Sequence, residues 1–234
     1  MKILVEGKTI TFVDNSNKLK GAHLGAMFKR QVRDNIIDKE YRKQRKFTRK
    51  PQPYYYSFLV KDNLPAEGQM IKSVDITNCY WETAYIRNLL TPELYLYGLD
   101  GGKDYKQIRN ACVGSLASIY YHTDYVNGKK IREFPKLNRY RRMYYDVVGY
   151  VFHKTAKPIM RELIDELVYF LTDCFFITGK EQFVFDLLDN LGYEYKVNDI
   201  IFKGHTETSG TIRIEWVKEG DEKYYEFNKG EQVF

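Results

Sequence analysis

The chain has 234 residues, 44% of them hydrophobic and 16% aromatic, which is enough to bury a core and too apolar for a disordered chain. Its net charge of +6 is polarised: residues 160–234 carry 16 acidic against 8 basic side chains, leaving +14 on the first 159. No apolar run reaches the roughly 18 residues that span a bilayer. The N-terminus meets a charge and a glycine too early for a signal peptide, and three cysteines with no close pair make no disulfide framework. The expected setting is a reducing cytoplasm, with no membrane and with a polyanion as partner.

Residues 2–13 read as a hairpin, with Ile3, Val5, Thr9 and Thr11 alternating around Gly7-Lys8. Residues 17–40 have helical periodicity, which puts Leu24, Met27, Phe28, Val32 and Ile36 on one face. The run Arg42, Lys43, Arg45, Lys46, Arg49 and Lys50 holds six cations and no acid, beside Tyr41, Phe47, Tyr54, Tyr55 and Tyr56. Cations for phosphates next to rings for bases are the parts of a nucleic-acid-binding arm. Pro51-Gln52-Pro53 ends the run and a strand candidate follows over residues 54–60. The turn-rich stretch from Lys61 to Gly68 then sets the expected domain boundary, with an N-terminal hairpin, helix and basic-aromatic arm in residues 1–60 and a second domain in 61–234.

The second domain should open with a buried strand over residues 70–77 that delivers Asp75 at its end. A helix over 81–90 follows, and Thr91-Pro92-Glu93 starts another by its cap and N1 proline. A helix over 103–118 places Lys106, Asn110 and Val113 on one face. Asn127-Gly128 predicts a hairpin, and a helical stretch from Asn138 should break or kink at Pro158 and resume over 160–166. Residues 129–157 form a second basic stretch, with nine cations against Glu133 and Asp146. Two strands, 167–170 and 174–177, flank a tight turn of Leu171, Thr172 and Asp173. A helix over 181–190 closed by Gly192 leads to tail strands over 193–197, 200–203, 211–216 and 224–227.

Three short motifs carry the chemistry: Asp75-Ile76-Thr77-Asn78-Cys79-Tyr80-Trp81, Lys106-Gln107-Ile108-Arg109-Asn110-Ala111-Cys112-Val113-Gly114, and Tyr169-Phe170-Leu171-Thr172-Asp173-Cys174. Two carboxylates on strand ends and a helix offering Lys and Asn are the parts of a two-metal nucleotidyl-transfer site. In order and internal spacing the three resemble motifs A, B and C of family B DNA polymerases, D-x-x-S-L-Y-P, K-x-x-x-N-S-x-Y-G and Y-G-D-T-D-S. The resemblance covers residues 70–177. It implies an α+β fold, a palm-like antiparallel sheet with packed helices, preceded by the small N-terminal hairpin and helix region. It also implies that Asp75 and Asp173, with the backbone carbonyl of Ile76, hold Mg2+ (Mn2+ as substitute), and that Tyr80, Lys106 and Asn110 hold a nucleotide. Leu171 replaces the first motif C aspartate, Cys174 its serine, Val113 the motif B tyrosine, and Asn78 and Trp81 the motif A serine and proline. The 30 residues between Asp75 and Lys106 are too few for finger helices, and nothing stands for a thumb or an exonuclease.

The expected function is therefore that of a nucleic-acid-associated protein of phage or mobile-element type, acting in a host cytoplasm on DNA or RNA. Either it is a minimal nucleotidyltransferase, with a second protein subunit supplying the missing elements, or it is a catalytically decayed palm that binds nucleic acid. A virion or assembly protein without nucleic-acid chemistry is the alternative. The cysteines, one in each motif, read as small apolar residues packed behind the motif surfaces rather than as a metal cluster.

Overall fold

The computed structural model describes residues 2–5, 8–11, 16–37 and 56–233. The basic run 42–50 lies outside them, as do Tyr54 and Tyr55. Contacts divide the chain into two units, each drawn from two stretches of sequence: Met1–Phe47 with Tyr80–Val147, and Thr48–Cys79 with Val148–Phe234.

In the first unit, β1 (Lys2–Val5) and β2 (Lys8–Thr11) pair antiparallel, and α1 (Ser16–Ile37) follows. Leu24, Phe28 and Val32 recur at i, i+4 and i+8 on α1 and are buried, so the apolar stripe read from the sequence is the stripe that packs. It packs with residues of α2 (Cys79–Ile86), α3 (Pro92–Asp100) and α4 (Gly102–Ser115), in a core that includes Trp81, Leu89, Leu94, Tyr105 and Val113. Thr91 caps α3, its hydroxyl accepting from the Leu94 amide at 3.4 Å. The carbonyl of Gly98, in the last turn of α3, would be an orphan of the helix end. The buried guanidinium of Arg109 donates to it at 2.5 Å and to the Gly102 carbonyl at 3.2 Å. An Arg87–Asp146 pair at 2.8 Å closes the same unit. The strands β5 (Ile119–Val126) and β6 (Lys129–Leu137) form a two-stranded ribbon, turned by Asn127 and Gly128 at φ of 50° and 74°. Positive φ at both turn residues is what an Asn-Gly hairpin provides.

The helical stretch after Asn138 is irregular just before Pro158 rather than broken there. Helix α5 (Arg141–Val151) widens into a π turn over Phe152–Ala156 and continues as α6 (Lys157–Glu162). A proline removes one amide and crowds the carbonyl four residues back, and a π turn directly before it accommodates both. The Thr155 hydroxyl occupies the Val151 carbonyl at 2.5 Å.

The second unit is built on one antiparallel sheet of seven strands: β3 (Ser57–Leu59), β4 (Met70–Ile76), β7 (Leu167–Leu171), β8 (Cys174–Ile177), β9 (Tyr195–Glu207), β10 (Thr211–Lys218) and β11 (Asp221–Asn228). Their spatial order is β11-β10-β9-β4-β8-β7-β3. A helix, α7 (Glu181–Asn190), buries Val184 and Leu188 and ends at Gly192, whose φ is 75°. The fold is thus α+β with an antiparallel sheet and packed helices. Where the sequence predicts two tail strands over 193–203, a single strand of 13 residues runs. Asn198 and Asp199 do not interrupt it, because they pair with Ser73 and Lys72 of β4, and Lys72 holds the Asp199 carboxylate at 2.7 Å.

The sheet is strongly curled. The rings of Tyr169 on β7 and Trp216 on β10 stand 6.0 Å apart although three strands lie between theirs. In a flat sheet those four steps would separate them by about 19 Å. The two edges approach each other as well: the Leu59 amide of β3 bonds to the Gln232 carbonyl just after β11 at 2.7 Å, and Leu59 forms a parallel bridge with Val233. The concave face is filled by Ile71, Tyr169, Phe176, Ile200, Phe202, Ile212, Ile214, Trp216 and Phe227. Glu207 takes Lys61 at 2.9 Å and Lys229 at 2.6 Å, tying the segments after β3 and β11 to the end of β9.

Candidate functional site

Asp75 is delivered by β4 and Asp173 by the two-residue turn between β7 and β8. Asp75 stands directly opposite Cys174 in the β4–β8 register, and the Ile76 amide donates to the Asp173 carbonyl at 3.0 Å. The turn is conformationally costly. Thr172, a β-branched residue, sits at φ 53°, where few residues other than glycine, asparagine or aspartate are at ease. It is held there from both sides: its amide donates to the Tyr56 carbonyl at 2.5 Å, and its hydroxyl donates to the Asp173 carboxylate at 2.8 Å. Strain kept in place by surrounding bonds is characteristic of positions that aim a side chain.

Both carboxylates line one cavity of about 210 Å³ on the concave side of the curled sheet. Ser73 and Asn198 add oxygen donors, Phe176, Ile200 and Trp216 form apolar wall, and Lys218, Lys223 and Tyr225 come from β10 and β11. The curl is what brings lysines of the far strands to carboxylates of the central ones. Burial, and then the charges of Asp75 and Asp173, push the Cys174 thiol well above its ordinary pKa, and Lys218 works in the opposite direction. Burial is also the first cause at Tyr225, whose hydroxyl is raised further by Cys174 and by the same two carboxylates. Cys174 is therefore a neutral thiol at physiological pH rather than a thiolate ligand. Among the described residues no group of three or more His, Cys, Asp and Glu side chains that could hold a metal ion forms.

The structure thus brings Asp75, Ile76 and Asp173 together in the second unit. The Ile76 side chain is buried and its amide is taken by the Asp173 carbonyl, and Ile76 is not among the described residues that line the cavity. Tyr80, Lys106 and Asn110 belong to the first unit. Tyr80 packs against that unit's core, while Lys106 and Asn110 are exposed on α4 and Val113, one turn on, is buried. Sequence reasoning missed Lys218, Lys223 and Tyr225. They lie more than 40 residues beyond the last motif, in strands whose alternation is plain but whose meeting with β4 depends on the curl.

No protein-family model matches the chain, and no curated protein matches it. Among solved structures it is similar to Phi29 DNA polymerase complexed with primer-template DNA and incoming nucleotide, with 11% identity and a TM-score of 0.47. The alignment covers 90% of this chain and 60% of the polymerase chain.

Proposed function

We propose that this chain is a nucleic-acid-associated protein whose second unit carries a palm-like divalent-cation site of the phosphoryl-transfer type. The observation that supports it best is the convergence of Asp75 and Asp173 on one cavity, from a strand end and a strained strand turn. The donor chemistry fits Mg2+: two carboxylates with a hydroxyl and an amide oxygen nearby are hard ligands, and magnesium keeps several waters of its own. Asp75 and Asp173 would hold the ion together with the Ile76 carbonyl, and the ion would supply Lewis-acid stabilisation of a phosphoryl oxygen. The chain's own part is to position. Thr172 fixes the Asp173 carboxylate, the apolar wall of Phe176, Ile200 and Trp216 limits water, and Lys218 and Lys223 offer cationic donors to a phosphate. The basic run from Arg42 to Lys50 would bind the backbone, and a second subunit would supply what a polymerase needs beyond a palm.

A binding-only reading is favoured by one observation: two lysines line the cavity beside the two carboxylates and so supply counter-charge without any metal. A single preparation separates the readings. Primer extension with Mg2+ or Mn2+, run beside a mobility shift at several salt concentrations, should give incorporation that Asp173→Asn abolishes if the site is catalytic. Salt-sensitive nucleic-acid binding with no incorporation, unaltered in Asp173→Asn, selects the binding protein. Absence of both removes the proposal.

A further inference from the structure

A cleft of about 810 Å³ lies in the first unit, on residues that none of the three motifs assigns to chemistry. Its lining has three chemical parts. Phe28, Val32 and Leu116 are almost fully buried and make an apolar floor. Lys29, Arg30 and Arg33, on the exposed side of α1, line one wall with three cations, and among the described residues no carboxylate lines the cleft. The nearest acid on that helix is Asp34, at 3.9 Å from Arg30 and 3.3 Å from Arg33, in exposed pairs that solvent screens. The other wall holds Ser115, Ser118, Asn138, Tyr121 and Tyr140.

That second wall is braced. The Asn138 amide donates to the Ser115 carbonyl at 2.8 Å and reaches the Ser118 hydroxyl at 3.3 Å, while its oxygen accepts from the Tyr140 amide at 2.9 Å. Arg139 lies over the Tyr140 ring at 4.8 Å and donates to its hydroxyl, which holds the ring and adds a fourth cation near the cleft.

We infer that this cleft is a second binding site and that its ligand is a nucleotide, with phosphates on Lys29, Arg30 and Arg33 and the base against Tyr121 and Tyr140. Three clustered guanidinium and ammonium groups, with no acid among the described lining residues, select a multiply charged anion, and guanidinium forks match phosphate geometry. A phosphate alone would leave the apolar floor and both tyrosine rings without a role. A flat base uses them, because rings of any base stack on an aromatic face. The volume lies in the range of cavities that enclose small ligands, roughly 300–1,000 Å³. The same chemistry is offered by a free nucleotide and by one residue of a single strand.

The test is a fluorescence or calorimetric titration of the full chain with ATP, pyrophosphate and a dT10 oligonucleotide. The proteins compared are the wild type, the Lys29→Ala/Arg33→Ala double variant, the charge-preserving Lys29→Arg/Arg33→Lys variant and Tyr140→Leu. The expected result is saturable binding of ATP or dT10 that falls at least roughly tenfold in the double alanine variant, as loss of charge-assisted contacts predicts. Binding should be retained in the charge-preserving variant and weakened in Tyr140→Leu. ATP as the tighter ligand identifies a free nucleotide, and dT10 a strand. Absence of saturable binding overturns the inference, as does binding that the double alanine variant leaves unchanged. Pyrophosphate binding as tightly as ATP overturns the role of the base. Thermal melting of each variant keeps a folding defect from passing as loss of the site.

Discussion

Thr172 shows how one residue can be badly placed for itself and well placed for its neighbour. At φ 53° its branched side chain is strained, yet its hydroxyl holds the Asp173 carboxylate and its amide is tied to Tyr56. Asparagine tolerates this region of backbone space far better. Thr172→Asn should therefore stabilise the protein by about 1 kcal/mol in a denaturant titration, by removing a left-handed penalty of roughly 1–2 kcal/mol. A destabilised Thr172→Asn would mean that the hydroxyl contributes more than the strain costs. The turn was legible in the sequence as a tight connection between two apolar runs. Its strain was not, because nothing in Leu171-Thr172-Asp173 marks a left-handed residue the way glycine would.

Among the elements, α3 makes a close contact with the indole of α2. Gly98 of α3 faces the indole of Trp81, and a Cβ at that position would lie 2.6 Å from the ring. The ring cannot swing aside easily, because it is 1% exposed and its Nε1 donates to the Tyr95 carbonyl at 3.2 Å. Gly98→Ala should cost about 1–3 kcal/mol by overpacking, despite alanine's better helix propensity. Thermal denaturation would check it, and an unchanged or raised melting temperature would contradict this packing. The seam of the curled sheet makes a second prediction. Hydrogen bonds from Lys229 and then Lys61 lower the Glu207 carboxyl from 4.5 to about 2. A carboxyl lowered in the folded state contributes stability above its unfolded pKa and loses it as pH falls through the folded one. The contribution should therefore be complete above about pH 5 and fade toward about pH 2. Glu207→Gln should flatten the acid limb of stability over that interval. An unchanged acid limb would show that the seam is held by its backbone bonds alone. Periodicity and turn chemistry were enough to read α1, β4, the Asn127-Gly128 ribbon and α7. The long β9 was misread because polar Asn198 and Asp199 look like a break until their partners on β4 are known.

At the scale of the molecule, each unit is assembled from two distant stretches of chain, so no linker composition announces the division. The residues at the carboxylate cavity come from strands spread between Ser73 and Tyr225, and only those in the motifs of Asp75 and Asp173 carried a local signature. The rest follows from curvature, which depends on how Tyr169, Phe176, Trp216 and Phe227 pack across the concave face and is not written in any one segment. The central claim is that Asp75 and Asp173 together form one divalent-cation site. Electron paramagnetic resonance of Mn2+ titrated into the full chain tests it most directly, with wild type compared against Asp75→Asn and Asp173→Asn. The account predicts a protein-bound signal in the wild type that is lost in each single variant, since either substitution removes one of only two carboxylate ligands. Bound Mn2+ that persists unchanged in both variants, or a wild type that binds none, would contradict it.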